Sequence, residues 1–151
     1  MIHPNSDVQS TFIGEDTDIW QYVVVLPNAH IGKNCNINSH CFIENDVIIG
    51  DYVTVKCGVY LWNGIRINNH VFIGPNVTFT NDKYPRSKQF PANFQQIIIK
   101  EGASIGAGAI VLGGVTIGKN VIVGAGSVVT KNIPDNELWV GNPAKFKRKI
   151  S

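Results

Sequence analysis

Cysteines are few, long apolar runs are missing, and only 16% of the 151 residues are charged. No stretch approaches the length needed to cross a bilayer as a helix, so no membrane association is expected. The opening residues, Met1-Ile2-His3-Pro4-Asn5, carry neither a basic segment nor an apolar signal core, and the cytoplasm is the expected compartment. The three cysteines are an odd number without a CxxC pair, which argues against a disulfide or metal site. Net charge is only +2, and it is unevenly placed. The tail after Ala144 holds Lys145, Lys147, Arg148 and Lys149 and no acid; 13 basic residues less these four leaves nine against 11 acidic ones in the body. No aromatic stripe or nucleic-acid motif accompanies the basic tail, so nucleic acid is not expected as a partner.

What the chain does have is a period of six. Aliphatic or aromatic residues stand at Ile13, Ile19, Val25, Ile31, Ile37, Ile43, Ile49, Val55, Leu61, Ile67, Ile73 and Phe79. The pattern restarts in a new register at Ile99, Ile105, Val111, Ile117, Val123 and Val129. Four residues after each sits a second small or branched side chain, with Cys35 and Cys41 among them as corner packing. Six matches neither the 3.6-residue period of a helix face nor the two-residue alternation of a half-buried strand. It suits a short strand plus a turn, three of which close a triangular coil, and such self-similarity marks a β-helix. Gly32-Lys33-Asn34, Gly50-Asp51 and Gly118-Lys119-Asn120 supply residues that tolerate tight corners. The expected fold is a parallel β-helix forming one domain over residues 1–151.

The period fails between Phe79 and Ile99. A polar segment with Pro85 and Pro91 and the aromatics Tyr84, Phe90 and Phe94 is expected to leave the coil as a loop over about residues 80–98. Loops on rigid scaffolds often carry function, and three aromatics suggest contact with another surface, such as a second subunit. Coils stack every eighteen residues, so Asn81 falls in column with Asn63 and Asn45, Thr80 with Trp62 and Glu44, and Asp82 with Gly64 and Asp46. An asparagine ladder alone reads equally as structure; Glu44 and Trp62 beside it point toward a ligand platform.

The repeat, the single loop and the terminal Val140-Gly141-Asn142-Pro143-Ala144-Lys145 together resemble the hexapeptide-repeat acyltransferases over nearly the whole chain. Val71-Phe72-Ile73-Gly74-Pro75-Asn76-Val77-Thr78-Phe79-Thr80-Asn81-Asp82, followed by Tyr84-Pro85-Arg86, is similar to the branch that acetylates nucleotide-linked amino sugars for bacterial surface polysaccharides such as O-antigen. Its nearest likeness is to enzymes acting on dTDP-3-amino-3,6-dideoxyhexoses. The resemblance implies a left-handed coil, acetyl-CoA as co-substrate, no metal, and homotrimers with active sites between subunits.

Acetyl transfer to an amine needs orientation of the nucleophile, removal of one proton and stabilisation of an oxyanion. Many relatives use a loop histidine, and this loop has none. His40, in the coil that carries Glu44, and Asp82 are the candidate proton acceptors, with Asn81 to hold the amine or a neighbouring hydroxyl. Glu44, Asn45, Tyr60, Trp62, Asn63, Tyr84 and Arg86 are the expected substrate contacts, Arg86 for a diphosphate. The small-residue coils at Gly106, Ala107, Gly124 and Ala125 would admit a pantetheine arm. Lys131, Asn142, Pro143, Ala144, Lys145, Lys147 and Arg148 would meet the phosphates of CoA.

Rival readings are acetylation of a UDP-linked amino sugar or amino-uronate, O-acetylation of a sugar, a γ-carbonic-anhydrase-like metal enzyme, and a non-catalytic scaffold. A carboxylated sugar would call for a further cation, such as Arg66 or Lys56. A metal enzyme would need three histidines to converge, and His40 and His70 do not stack.

Overall fold

The structure is a computed structural model that describes residues 1–151, and it contains strands and turns but no helix. Most strands are two residues long, and successive side chains of a strand point to opposite sides. The hexad aliphatic therefore turns toward the axis and its predecessor toward solvent. Ile37, Ile43, Val55, Leu61 and Ile73 are fully buried, as are the corner residues Val23, Val47, Val53 and Val59. Burial of each such side chain stabilises by about 1.5–3 kcal/mol before conformational entropy is counted.

The strands form three parallel sheets of a left-handed β-helix of about seven turns. Face I holds seven strands, among them Phe42–Ile43, Tyr60–Leu61, Thr78–Phe79, Ile110–Val111 and Val128–Val129. Face II holds five, with Ile48–Ile49, Ile65–Ile67 and Ile97–Ile99 at its centre. Face III holds eight and ends in a hairpin of Glu137–Gly141 and Ala144–Lys149, paired antiparallel. The chain visits face III, then I, then II, so each face is bounded by two corner columns.

Partners in neighbouring coils stand eighteen residues apart, as in Asn36↔Thr54 and Phe42↔Tyr60. Across the interruption the offset becomes 32, as in Ile65↔Ile97 and Thr78↔Ile110. The loop thus adds 32 − 18 = 14 residues to one coil. It ends at Gln96, two residues before the bound read from the sequence. Ile97 and Ile98 belong to a three-residue strand, and Ile97 is fully buried. The six-residue pattern restarts visibly only at Ile99, so it gives no sign of that longer strand.

The basic C-terminal segment is itself the edge strand of face III. Glu137, buried beneath it, accepts hydrogen bonds from Trp139 Nε1 and Lys149 Nζ, each at 3.2 Å. Cys35 and Cys41 are buried at corners, and Cys57 is exposed. Burial pushes both buried thiols up, Cys41 to about 11, so neither is a thiolate near neutral pH. A maleimide at pH 7.5 is therefore expected to label one thiol per chain in the native state and three in denaturant, counted by mass spectrometry. Rapid native labelling of Cys41 would contradict its corner packing.

Candidate active site

Face I carries a cluster of three aromatic side chains, Phe42, Tyr60 and Trp62, with Tyr60 exposed. Phe42 and Tyr60 share one outward column, continued by Thr78, and Trp62 occupies the next outward position. The Trp62 ring lies 5.8 Å from Phe42 and 6.0 Å from Tyr60, centroid to centroid. Its indole N–H donates to Phe79 O at 2.9 Å, which fixes the ring against the coil below the loop. Tyr60 and Trp62 wall two hollows. One of about 270 Å³ is completed by Gly58, Asn76 and Thr78; the other, of about 350 Å³, lies against Phe42.

The corner between faces I and II holds the asparagine column, and much of it is engaged internally. Asn28 N–H donates to Asn45 Oδ1 (3.1 Å), Asp46 N–H to Asn63 Oδ1 (2.8 Å), and Asn81 Nδ2 to Asn63 O (3.2 Å). Glu44 joins the same ladder, its Oε2 accepting from Asn63 N–H at 2.7 Å. These bonds satisfy backbone groups that the corner turns leave without a strand partner. Arg66 Nη2 pairs with Asp46 Oδ1 at 2.7 Å, and its Nη1 donates to Asp46 O at 2.7 Å. That guanidinium is thus occupied, which disfavours its use on a sugar carboxylate.

The loop leaves from Thr80 and returns at Gln95, whose N–H donates to Asn81 O at 3.1 Å. Asp82 Oδ1 accepts from Tyr84 N–H (3.0 Å) and shares a recess of about 260 Å³ with Thr80, Leu112, Gly113 and Thr130. Tyr84 and Phe90 are 77% and 82% exposed, so neither anchors the loop to its own coil. Arg86 points outward with one bond, to Pro85 O at 3.0 Å.

Glu44, Asn45, Tyr60, Trp62, Asn63 and Asn81 therefore come together on face I and its corner with face II. His40 does not join them. It turns the opposite corner of face I at φ 63° and stacks on Tyr22, 5.2 Å between ring centroids. Asp82 stands at the root of the loop, against Leu112 and Thr130 of the following coils, so His40 and Asp82 flank the aromatic surface from different ends. Phe42, Asn76 and Thr78 were missed by the sequence reading. The eighteen-residue columns through Tyr60 and Gly58 would have found them.

The small-residue coils divide into two kinds. A Cβ on Gly106 would lie 2.6 Å from Ala125 N and 2.8 Å from Val123 O, and one on Gly124 would meet Val140. These glycines let coils stack. Gly108 and Gly126 have nothing within 4 Å and, with exposed Ala107 and Ala125, leave a bare strip along the corner between faces III and I. Lys131 Nζ stands 5.5 Å from the centre of the Trp139 ring. The Asn142-Pro143 peptide is cis, Ala144 is buried, and Lys145, Lys147 and Arg148 are exposed. Within one chain, no three His, Cys, Asp or Glu side chains are grouped to hold a metal ion.

Comparison with known proteins places this geometry. The bacterial transferase hexapeptide family (six repeats) matches residues 10–45 and 96–131, and the hexapeptide repeat of succinyl-transferase matches 29–62. A dTDP-3-amino-3,6-dideoxy-α-D-galactopyranose 3-N-acetyltransferase from Aneurinibacillus thermoaerophilus is 56% identical over 97% of this chain and 76% of its own. The chain belongs to the hexapeptide-repeat acetyltransferases. As a member it transfers acetyl groups from acetyl-CoA. Among solved structures, this acetyltransferase resembles a histidine-to-asparagine variant of perosamine N-acetyltransferase from Caulobacter crescentus, in complex with CoA and GDP-perosamine. The TM-score is 0.73 at 28% identity, over 98% of this chain and 56% of that one. A maltose O-acetyltransferase from Clostridium difficile 630 superimposes with a TM-score of 0.71 at 32% identity, over 80% of this chain and 69% of its own.

Proposed function

We propose that this acetyltransferase acylates the 3-amino group of a dTDP-3-amino-3,6-dideoxyhexose in the cytoplasm, as a homotrimer, for surface-polysaccharide synthesis. The observation that carries the reading is the 56% identity, over 97% of the chain, to an enzyme named for that reaction. The aromatic surface on face I supports it, since Tyr60 and Trp62 offer flat faces to a sugar ring beside an asparagine-lined corner.

In this reading residues 1–151 act as one domain. The atoms the corner ladder leaves free serve the substrate: Asn81 Oδ1 and Glu44 Oε1 accept from the amine or a neighbouring hydroxyl, and Asn63 and Asn45 donate through Nδ2. The amine nitrogen attacks the thioester carbonyl carbon, the C–S bond breaks, CoA leaves as the thiol, and the nitrogen loses one proton. His40 and Asp82 are the side chains placed to receive that proton. They approach the face from opposite ends, so in a trimer each would serve a different subunit boundary. Tyr84 and Arg86, unanchored on their own coil, reach a neighbour's substrate, Arg86 toward the diphosphate. The pantetheine arm runs along the exposed strip of Ala107 and Ala125, which the stacking glycines Gly106 and Gly124 hold close to the coil. Lys131, the Asn142-Pro143-Ala144 turn, Lys145, Lys147 and Arg148 face the phosphates of CoA.

The test is thiol release from acetyl-CoA against dTDP-3-amino-3,6-dideoxy-galactose, its glucose epimer, and a UDP-3-amino-uronate. Turnover confined to the dTDP sugars is expected. Turnover of the uronate alone would replace the substrate, and turnover of none would overturn the reading.

A further inference from the structure

The recess at the loop root lies directly above Asn81, toward the C-terminal coils. Thr80, Leu112 and Thr130 stand there in one outward column of face I, since Phe79 pairs with Val111 and Val111 with Val129. In the corner column Gly113 follows Asn45, Asn63 and Asn81, and it brings bare backbone where its predecessors carry amides. That backbone is fixed: Gly113 N–H donates to Thr80 Oγ1 at 3.1 Å, and a Cβ on Gly113 would lie 2.7 Å from Gln95 Oε1. The recess, about 260 Å³, is lined by Asp82, Lys83 and Pro85 from the loop and by that outward column with Gly113 from the coil. Apart from the Pro85 ring, Leu112 is its one apolar side chain. It is half-buried, and it extends one carbon further than Thr80 below it or Thr130 above it.

We propose that Leu112 is a specificity-determining residue that limits the acyl group to acetyl. The inference rests on the amino-sugar and trimer reading above, in which three constraints meet at this recess. The acyl carbon must come within bonding reach of an amine held at Asn81 Oδ1 and Glu44 Oε1, so the acyl group belongs at this corner. The sugar ring takes the aromatic hollows on the N-terminal side of the loop. The phosphates of CoA lie against the C-terminal segment, so the thioester arrives from the side where Leu112 and Thr130 stand. The strip of Ala107 and Ala125 is at the other edge of face I, and the arm that enters the recess therefore lies on the strip of a neighbouring subunit. With the carbonyl carbon turned to the amine, the acetyl methyl packs on Leu112, and Asp82 on the wall of the same recess is near the proton that the amine gives up. A longer chain would have to displace Leu112, whose backbone N–H is tied to Val129 O at 3.1 Å and whose side chain stands between two β-branched neighbours.

Steady-state kinetics on the full chain, with the dTDP-amino sugar that turns over best as acceptor, would compare acetyl-, propionyl- and butyryl-CoA. In the unchanged protein kcat/KM is expected to fall roughly tenfold or more with each added methylene. Leu112→Ala should raise the propionyl-to-acetyl ratio roughly tenfold or more, with KM for the sugar unchanged. Leu112→Met, which conserves volume, should keep the acetyl preference. Leu26→Ala removes another half-buried leucine, lower in the same column and outside the recess, and should leave the ratio as it was. A ratio unchanged in Leu112→Ala, an equal loss with all three donors, or equal use of acetyl- and propionyl-CoA by the unchanged protein overturns the inference while leaving the reaction intact. Failure of the unchanged protein to acetylate any dTDP-amino sugar would instead sink the functional reading, and this inference with it.

Discussion

Excision of residues 82–95 is expected to leave a folded coil and to lower acetyl transfer by roughly a hundredfold or more. The excess over one coil is fourteen residues, and removing 82–95 joins Asn81 to Gln96. Gln96 already holds the coil position above Gly64, since Ile97 N–H donates to Gly64 O and Gly114 N–H to Gln96 O. The shortened chain thus closes an eighteen-residue coil with its ladder intact. The cost is confined to contacts inside the loop root, such as Gln95 against Gly113. Loop closure entropy, lower for a shorter loop, works in the variant's favour. What is lost is Asp82, Tyr84 and Arg86 together, hence the large effect on turnover. Thermal unfolding, light scattering and the thiol-release assay, at one protein concentration, would separate the effects. A folded variant with full activity would remove the loop from the site. An unfolded product would show that the loop root, rather than the coil ladder, holds the two halves together.

Gly106→Ala is expected to lower stability by about 3 kcal/mol, because the new Cβ meets the backbone of Ala125 and Val123, which cannot turn aside as a side chain can. For a chain of this size the melting temperature should fall by roughly 10 °C. Gly108→Ala, two residues on, meets nothing within 4 Å and incurs only the left-handed backbone cost at φ 67°, about 1 kcal/mol. If the bare strip carries the pantetheine arm, Gly108→Ala raises KM for acetyl-CoA with little thermal effect, the reverse of Gly106→Ala. Equal melting temperatures for the two variants would refute the division of these glycines into stacking and open kinds.

Comparing the columns shows where sequence reasoning was sufficient. Placing Asn45, Asn63 and Asn81 in one line required only the eighteen-residue stack, and the structure keeps them there. That line did not disclose that Asn45 Oδ1 and Asn63 Oδ1 accept from the backbone of neighbouring corners. An asparagine that caps a turn and one that faces a ligand are the same letter. His40 was grouped with Glu44 because they share a coil, yet four residues carry the chain from one edge of face I to the other.

The sequence by itself determined the coil, its axis and its columns. In a solenoid each repeat contacts only its neighbours, so local periodicity is already the tertiary contact map. It also marked where the coil is interrupted, though not the residue at which it resumes, since the three-residue strand at Ile97–Ile99 breaks no hydropathy rule. Only the tertiary structure decided which polar atoms remain free. That depends on the direction of each side chain relative to the coils above and below it, over distances of about an ångström. It divided Gly106 from Gly108 and the bonded atoms of Asn45, Asn63 and Asn81 from their free ones, and it set His40 and Asp82 at opposite ends of the aromatic face.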